Sequence, residues 1–549
     1  MKKKSLDIIN FKKYLNFLKN SKNIKSAYLK SIESKASILV PVSDTIASIQ
    51  LKELFYELKK EKTNYNKINF DNKIKTQISF LILKKNGLIS GIVVLTKLDK
   101  LNIIDLKYAF INDKKNENLK VQSIDRVLNW CSDILNIKGF RVNISNNLKD
   151  LQLIQNKILK NSSKKYLNNK KIFEINNDIT NNSKILTAGP SISEIEKYNV
   201  YDAVENGWNK NWSTYLKQFE KKFSSTIKRK YCIATSSCTG ALQIALMALD
   251  IGPGDEVIVP DITWVSTASV VEAVGAKPIF ADVKLNDWTI ETKNLEKLIN
   301  KKTKAIMPVH LYGMPANCDK LKEISKKYKI KIIEDAAPAI GATYKKIACG
   351  NLGEFSAFSF QGAKLLVTGE GGMLTTNNYQ LYKKALKISD FGRDPKKTFW
   401  ISSPGVKFKM SNIQAALGLG QLSRLNEMIK MKRTIFKWYE KFLDENNCKL
   451  IKEPENSKSI YWMTSIILKK GYDRNKLIKL LSFKNVDSRP CFPSISSYPI
   501  WKHKISKKES KLLKNSKIIS KQGLNLPSGV QLRENDIKKV CNIINSYSK

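Results

Sequence analysis

Lys364 stands at the end of Ser359-Phe-Gln-Gly-Ala-Lys364 and is followed at once by Leu-Leu-Val-Thr-Gly-Glu-Gly-Gly-Met373. A lysine among small and apolar residues beside a Gly-rich turn is desolvated, which lowers its pKa and favours the neutral, nucleophilic amine. The alternative is an ordinary surface lysine on a loop. Asp335 closes the apolar run KIKIIEDAA. A carboxylate there is costly to bury without a cationic partner. A protonated pyridine nitrogen about 4 Å away would gain about 4 kcal/mol at an effective dielectric near 20; an N-cap on the next helix would suit Asp equally. The turn Thr235-Ser-Ser-Cys-Thr-Gly-Ala-Leu242 joins a strand to a helix. Unpaired N–H groups and a partial positive charge at such an end accept a phosphate, with Thr239 adding a hydroxyl; Ser and Thr are also common N-caps. Ser359 could bond the same phosphate. Trp264, in PDITWVSTAS, could stack on a flat heteroaromatic ring or fill a core.

The elements that must carry these residues read as short apolar strands alternating with helices, the pattern of an α/β domain with a mostly parallel sheet. YCIATSS is a strand and TGALQIALMALDIG a helix closed by Gly252; EVIVPD, KPIFADV, KAIMPVHLYG, KIKIIEDAA and FSAFSFQ are further strands. Ligands bind such sheets beyond the carboxyl ends of the strands, where every residue above falls. The expected division is an α+β N-terminal domain over 1–155 and an Asn/Lys-rich linker over 156–184. A large domain over 185–430 and a small C-terminal subdomain over 431–549 follow.

A chain of 549 residues is long enough for two or three domains. Its 8 Cys form no CxxC pair and it has only 2 His, so neither a zinc site nor a disulfide framework is expected. The net charge of +47 comes mostly from Lys spread along the whole chain. That reads as solvated faces rather than a nucleic-acid patch, which would cluster Arg and aromatics. The basic start MKKKSLDIIN breaks at Asn10, too soon for a signal peptide, and no long apolar run suggests a membrane span. The expectation is a soluble, cytoplasmic protein without membrane or specific nucleic-acid partners.

Taken in order, the blocks SSCTGAL, GPGDEVIVPDITWVSTA, PVHLYGMP, IIEDAAPAIGA, SFQGAKLLVTGEGGM, KMSNIQAALGLGQL and GLNLPSG resemble the DegT-like sugar-nucleotide aminotransferases. These are fold-type I enzymes that use pyridoxal 5'-phosphate (PLP). The resemblance runs from about Gly189 to the C-terminus, and implies Lys364 as the Schiff-base lysine and Asp335 as partner of the pyridine nitrogen. It implies that Trp264 stacks on the ring and that Cys238, Thr239 and Ser359 hold the phosphate. It further implies a homodimer, glutamate as amino donor and a keto-sugar nucleotide as acceptor. PDITWVSTA, ADVKLNDWTIE, DFGRDPKKTFW and DSRPCFP resemble the perosamine-synthase-like branch, which aminates a 4-keto-6-deoxy sugar for surface polysaccharide.

Two positions depart from the family pattern. Pro338 stands where Gln, His or Glu usually lies near the cofactor hydroxyl, and lacks an N–H to offer. Lys407, in Gly405-Val-Lys-Phe-Lys-Met410, replaces an Asn that reaches the partner subunit's phosphate. Residues 78–146 resemble part of a GNAT acyltransferase, with a helix expected over VQSIDRVLNWCSDILN. Their NDKKNENLKVQS lacks the usual Gly-rich turn, so a docking domain and an N-acyltransferase both stay open. A PLP-binding regulator without turnover is the other functional alternative.

Overall fold

The computed structural model describes residues 184–192, 194–394 and 396–548, and before them the backbone of eight strands. The chain divides into two compact units, Met1–Asn181 and Asn182–Lys549.

In the first unit the strands are β1 (Ile32–Glu33), β2 (Ser37–Pro41), β3 (Gln77–Lys84), β4 (Ile89–Leu98), β5 (Ile103–Phe110), β6 (Gly139–Val142), β7 (Ser163–Leu167) and β8 (Lys170–Glu174). They form one sheet in the order β1-β2-β3-β4-β5-β6-β8-β7. All pairs are antiparallel except β5 with β6. The strands expected between 78 and 146 are therefore present; the helix expected over Val121–Asn136 lies outside the described residues. The linker expected over 156–184 is corrected: β7 and β8 lie inside it, paired to each other and, through β8, to β6. Leu167 pairs with Lys170, which places β7 and β8 side by side. Asn/Lys-rich composition here accompanies paired strands, not a tether.

The second unit is built on β9 (Tyr231–Thr235), β10 (Glu256–Pro260), β11 (Lys277–Ala281), β12 (Thr303–Ile306), β13 (Lys331–Asp335), a hairpin of β14 (Thr343–Tyr344) and β15 (Ile347–Ala348), then β16 (Phe355–Ser359) and β17 (Gly372–Thr376). Seven of these strands form a sheet in the order β11-β10-β12-β13-β16-β17-β9, in which β17 alone runs against the rest. Strands β10, β16 and β17 are buried throughout, as expected where helices cover both faces. Helices Cys238–Ala248 and Ser266–Ala273 contribute to one apolar layer with Val257, Val259, Ile333 and Leu374. Helix Thr214–Ile227 sends Phe219 and Phe223 against Phe358 and Phe360, with ring centroids 5.0–5.6 Å apart. Helix Asn412–Ser423 crosses it closely enough that a Cβ on Gly418 would lie 2.7 Å from the Phe219 ring. The helix expected to run to Gly252 ends at Ala248, and Asp250 takes a positive φ of 57° beyond it.

The C-terminal part adds β18 (Cys448–Leu450), β19 (Ser457–Lys458), β20 (Thr464–Leu468), β21 (Arg489–Pro490) and β22 (Gly523–Leu526). A four-stranded antiparallel sheet, β18-β20-β22-β21, forms there, and β19 joins the β14–β15 hairpin. Helix Leu425–Phe442 runs unbroken across residue 430. A single apolar cluster links Phe358 and Met373 of the large sheet to Ile466 and Leu524 of the small one. Among the described residues no helix is long and apolar enough to cross a membrane.

Candidate active site

Strand register brings the singled-out residues to one edge of the large sheet. Ser359 pairs with Gly372, and Gly372 with Thr235, so the ends of β16 and β9 lie abreast across the start of the reversed strand β17. Asp335 pairs with Ala357 one strand over. The helix beginning at Cys238 therefore starts where Ser359 ends. Gly372 is required at that crossing: a Cβ there would lie 2.5 Å from the backbone nitrogen of Cys238.

Asp335 is 4% exposed. Its Oδ2 accepts from the Thr267 hydroxyl at 2.8 Å and its Oδ1 from the Ala337 N–H at 3.1 Å. Burial raises its pKa above the usual carboxylate value; Thr267, the Lys364 ammonium, Ala337 and His310 all act to lower it. Its neighbour Glu334 points to the other face, as strand alternation requires. There it accepts from His310 Nε2 at 3.0 Å, Gly350 N at 2.8 Å and Ser356 Oγ at 2.7 Å. His310 Nδ1 accepts from Ala316 N–H, so Nε2 carries the proton toward Glu334. Although burial pushes the Glu334 carboxyl up, His310, Ser356 and Gly350 hold it at about 2. One acid is thus fully satisfied by protein while the other remains strained by its burial.

Lys364 follows a turn closed by Lys364 N–H donating to Gln361 O at 2.8 Å. Burial lowers its pKa, and the charges of Asp335 and Cys238 act the other way. Its amine lies 3.9 Å from the centre of the Trp462 ring. At the helix start, Ser237 is the N-cap and its hydroxyl accepts from Gly240 N–H at 3.0 Å. The first-turn N–H groups of Cys238 and Thr239 are those a helix leaves for outside acceptors, and Thr239 is exposed. Gly240 is packed by Phe408, whose ring would lie 2.8 Å from a Cβ there. Ser359 is 6% exposed, with a long contact of 3.4 Å from Gln361 N–H to its hydroxyl. Trp264 is 57% exposed, its ring tilted at 5.6 Å from Phe492; the core alternative for this tryptophan is thereby excluded.

Lys364, Asp335 and Cys238 thus act on one another's charge, and register aligns Ser359 with the helix start. Lys407 stands apart from that group. Its Nζ lies 3.2 Å from Asp390 Oδ1, while Lys409 holds the other oxygen at 2.8 Å. Pro338 lies three residues beyond Asp335, in the turn where Ala339 N–H donates to Ala336 O. Two residues of the site were not singled out in the sequence. Thr267 stood inside a quoted motif, one helical turn past Trp264; Trp462 lies about a hundred residues from Lys364 in a stretch without a motif.

This arrangement fits PLP by its donor chemistry. It offers a helix N-terminus with flanking hydroxyls for a phosphate, a buried carboxylate short of a cation, a desolvated amine and an exposed indole.

Known proteins agree with that fit. Residues 190–545 match the DegT/DnrJ/EryC1/StrS aminotransferase family. The GDP-perosamine synthase of Caulobacter vibrioides is 36% identical over 361 residues, 65% of this chain and 96% of its own. That of Vibrio cholerae is 34% identical over 65% and 97% respectively. Spr1654 from Streptococcus pneumoniae, solved in its PLP and PMP forms, superposes with a TM-score of 0.62 at 26% identity, covering 66% of this chain and 98% of its own. From the strand ends to these relatives, the observations converge: this chain belongs to the DegT/DnrJ/EryC1/StrS family and is a PLP-dependent aminotransferase.

Proposed function

We propose that this enzyme transfers an amino group from glutamate to a keto-sugar nucleotide, of the 4-keto-6-deoxy class, for surface polysaccharide. The relatives named GDP-perosamine synthase support the sugar class. The observation that carries the reading is that Lys364 and Asp335 are both buried near the strand ends, close enough for each to act on the other's charge.

When bound, PLP supplies an electron sink for the departing and arriving amino group. Lys364 holds the cofactor through its amine. When free, its Nζ takes the proton from the donor's carbon and returns one to the acceptor's. Asp335 keeps the ring nitrogen protonated, with Thr267 fixing the carboxylate's direction. Trp264 covers one face of the ring. Cys238 and Thr239 offer N–H groups and Ser359 a hydroxyl to the phosphate. Lys407 completes the phosphate site of a second copy in a homodimer. The apolar rim of Phe391, Phe399, Trp400 and Ile401, exposed by 44–86%, supports that pairing. The reaction belongs to the cytoplasm in this reading.

Borohydride reduction of the cofactor-loaded protein, followed by peptide mass spectrometry, is expected to find the cofactor on Lys364. Incubation with glutamate and a panel of nucleotide-linked keto sugars is expected to yield an amino sugar, strongest with a 4-keto-6-deoxy acceptor. Cofactor on another lysine sinks the site, and a loaded enzyme inert toward every panel member sinks the substrate class.

A further inference from the structure

Trp462 has a relation to Lys364 that the reaction as described does not use. It lies between β19 and β20, 5% exposed, and is held at several points. Its indole Nε1–H donates to Ala363 O at 2.8 Å, the carbonyl just before the lysine. Its own carbonyl accepts from Lys432 Nζ at 2.7 Å, and the same ammonium reaches Ser528 O at 2.5 Å. Lys432 is itself only 4% exposed. Tyr312 is its aromatic neighbour, 6.0 Å away centre to centre. The backbone also packs closely there: a Cβ on Gly313 would lie 2.9 Å from Trp462 N.

The result is an indole face fixed 3.9 Å from the Lys364 amine. That distance and geometry favour an ammonium over a neutral amine, because the ring's negative face attracts only the charged form, and more so when desolvated. An amine that must leave the cofactor and carry a proton needs a defined place to stand in the meantime. Swinging into solvent would cost its direction, and lying against Asp335 would occupy the carboxylate meant for the ring nitrogen. We infer that the face of Trp462 is the docking place of the Lys364 amine whenever that amine is not bonded to cofactor, which makes Trp462 a positioning residue for the lysine. This rests on Lys364 being the cofactor lysine.

Two other titratable groups also face the amine: the Asp335 carboxyl from the end of β13 and, from the helix start, the Cys238 thiol, which burial keeps protonated. The test must therefore isolate the indole. In cofactor-free full-length protein, the acetylation rate of Lys364 by acetic anhydride is followed against pH by peptide mass spectrometry. Wild type, Trp462→Phe and Trp462→Leu are compared. Removing the ring removes a stabiliser of the charged form, so the midpoint falls. The expected fall for Trp462→Leu is about one pH unit, a tenfold loss of proton affinity or about 1.4 kcal/mol. Trp462→Phe keeps a weaker ring and is expected to fall by less than half of that. If the leucine variant does not fold, the smaller fall in the phenylalanine variant still decides. An unchanged midpoint in a folded variant overturns the inference, as does a rise. Neither result touches the borohydride mapping, so failure here is separable from failure of Lys364 as the cofactor lysine.

Discussion

Thr267→Val is the sharpest probe of the carboxylate that holds the cofactor. Valine keeps the shape of threonine and removes one oxygen, the donor 2.8 Å from Asp335 Oδ2. A hydrogen bond to a charged group contributes about 1.5–3 kcal/mol, and the low end applies here because Ala337 N–H still donates to the same carboxylate. An expected net loss of about 1.4 kcal/mol corresponds to one pKa unit. Asp335 already sits above the usual carboxylate value because of burial, and Thr267 is the first of the groups that lower it. Without that donor its pKa rises further. Turnover needs the ionised form, so activity falls as pH drops through this pKa. The acidic limb of kcat/KM in Thr267→Val is then displaced to higher pH by about one unit. Stability of the cofactor-free protein carries the same sign. A carboxyl whose folded pKa is raised stabilises the fold when protonated and loses that contribution as pH rises through the folded value. The variant's deficit in urea unfolding is accordingly larger at neutral pH than at acidic pH. An acidic limb that does not move, in a variant that folds and loads cofactor, refutes the assignment of Thr267 as the group that sets Asp335.

Four other substitutions test separate parts of the site and its supports. Asp335→Asn is expected to abolish turnover, whereas Trp264→Phe only weakens it, because an exposed ring orients the cofactor while the acid sets its charge; equal losses in steady-state rates would contradict that division. Gly372→Ala forces a Cβ to within 2.5 Å of Cys238 N, so the helix start must move. PLP affinity measured by equilibrium dialysis is expected to fall at least tenfold, and wild-type affinity would refute the cradle. Glu334→Gln is expected to cost about 3 kcal/mol at neutral pH in urea unfolding, since its carboxyl is held at about 2, well below its ordinary value of 4.5. Wild-type stability from Glu334 is present above pH 4.5 and lost as pH falls toward about 2, so the difference between the two proteins must shrink in that window.

Local pattern carried the large sheet well, because strands buried on both faces show as continuous apolar runs whose last polar residue marks the ligand side. Asp335 and Ser359 stood out for that reason, and Trp264 and Thr239 lay just past such ends. Composition misled where one residue type serves two purposes. The Asn/Lys-rich stretch looked like a tether, yet Ser163–Leu167 and Lys170–Glu174 within it are paired strands. Lys407 was legible only as a departure from a family pattern; what it meets in this chain, Asp390, depends on two loops brought together by the fold.

Trp462 marks the harder limit. Its neighbours on the sequence, Tyr461 and Met463, are as apolar and as buried as itself, so nothing in its vicinity distinguishes a core aromatic from one that faces a reacting amine. The distinction arises from three contacts with residues 30 to 99 positions away: Lys432 at its carbonyl, Ala363 at its indole N–H and Lys364 over its ring. Of those partners, Ala363 and Lys432 are ordinary when read alone. Lys432 is one lysine on a helix full of them, until its burial pushes its pKa down to about 7 and leaves its Nζ donating to two backbone carbonyls. Residues acting directly on a ligand cluster at strand ends, where topology announces them. Residues that position such groups are recruited from whatever the tertiary fold lays behind the site, and only the packed chain identifies them.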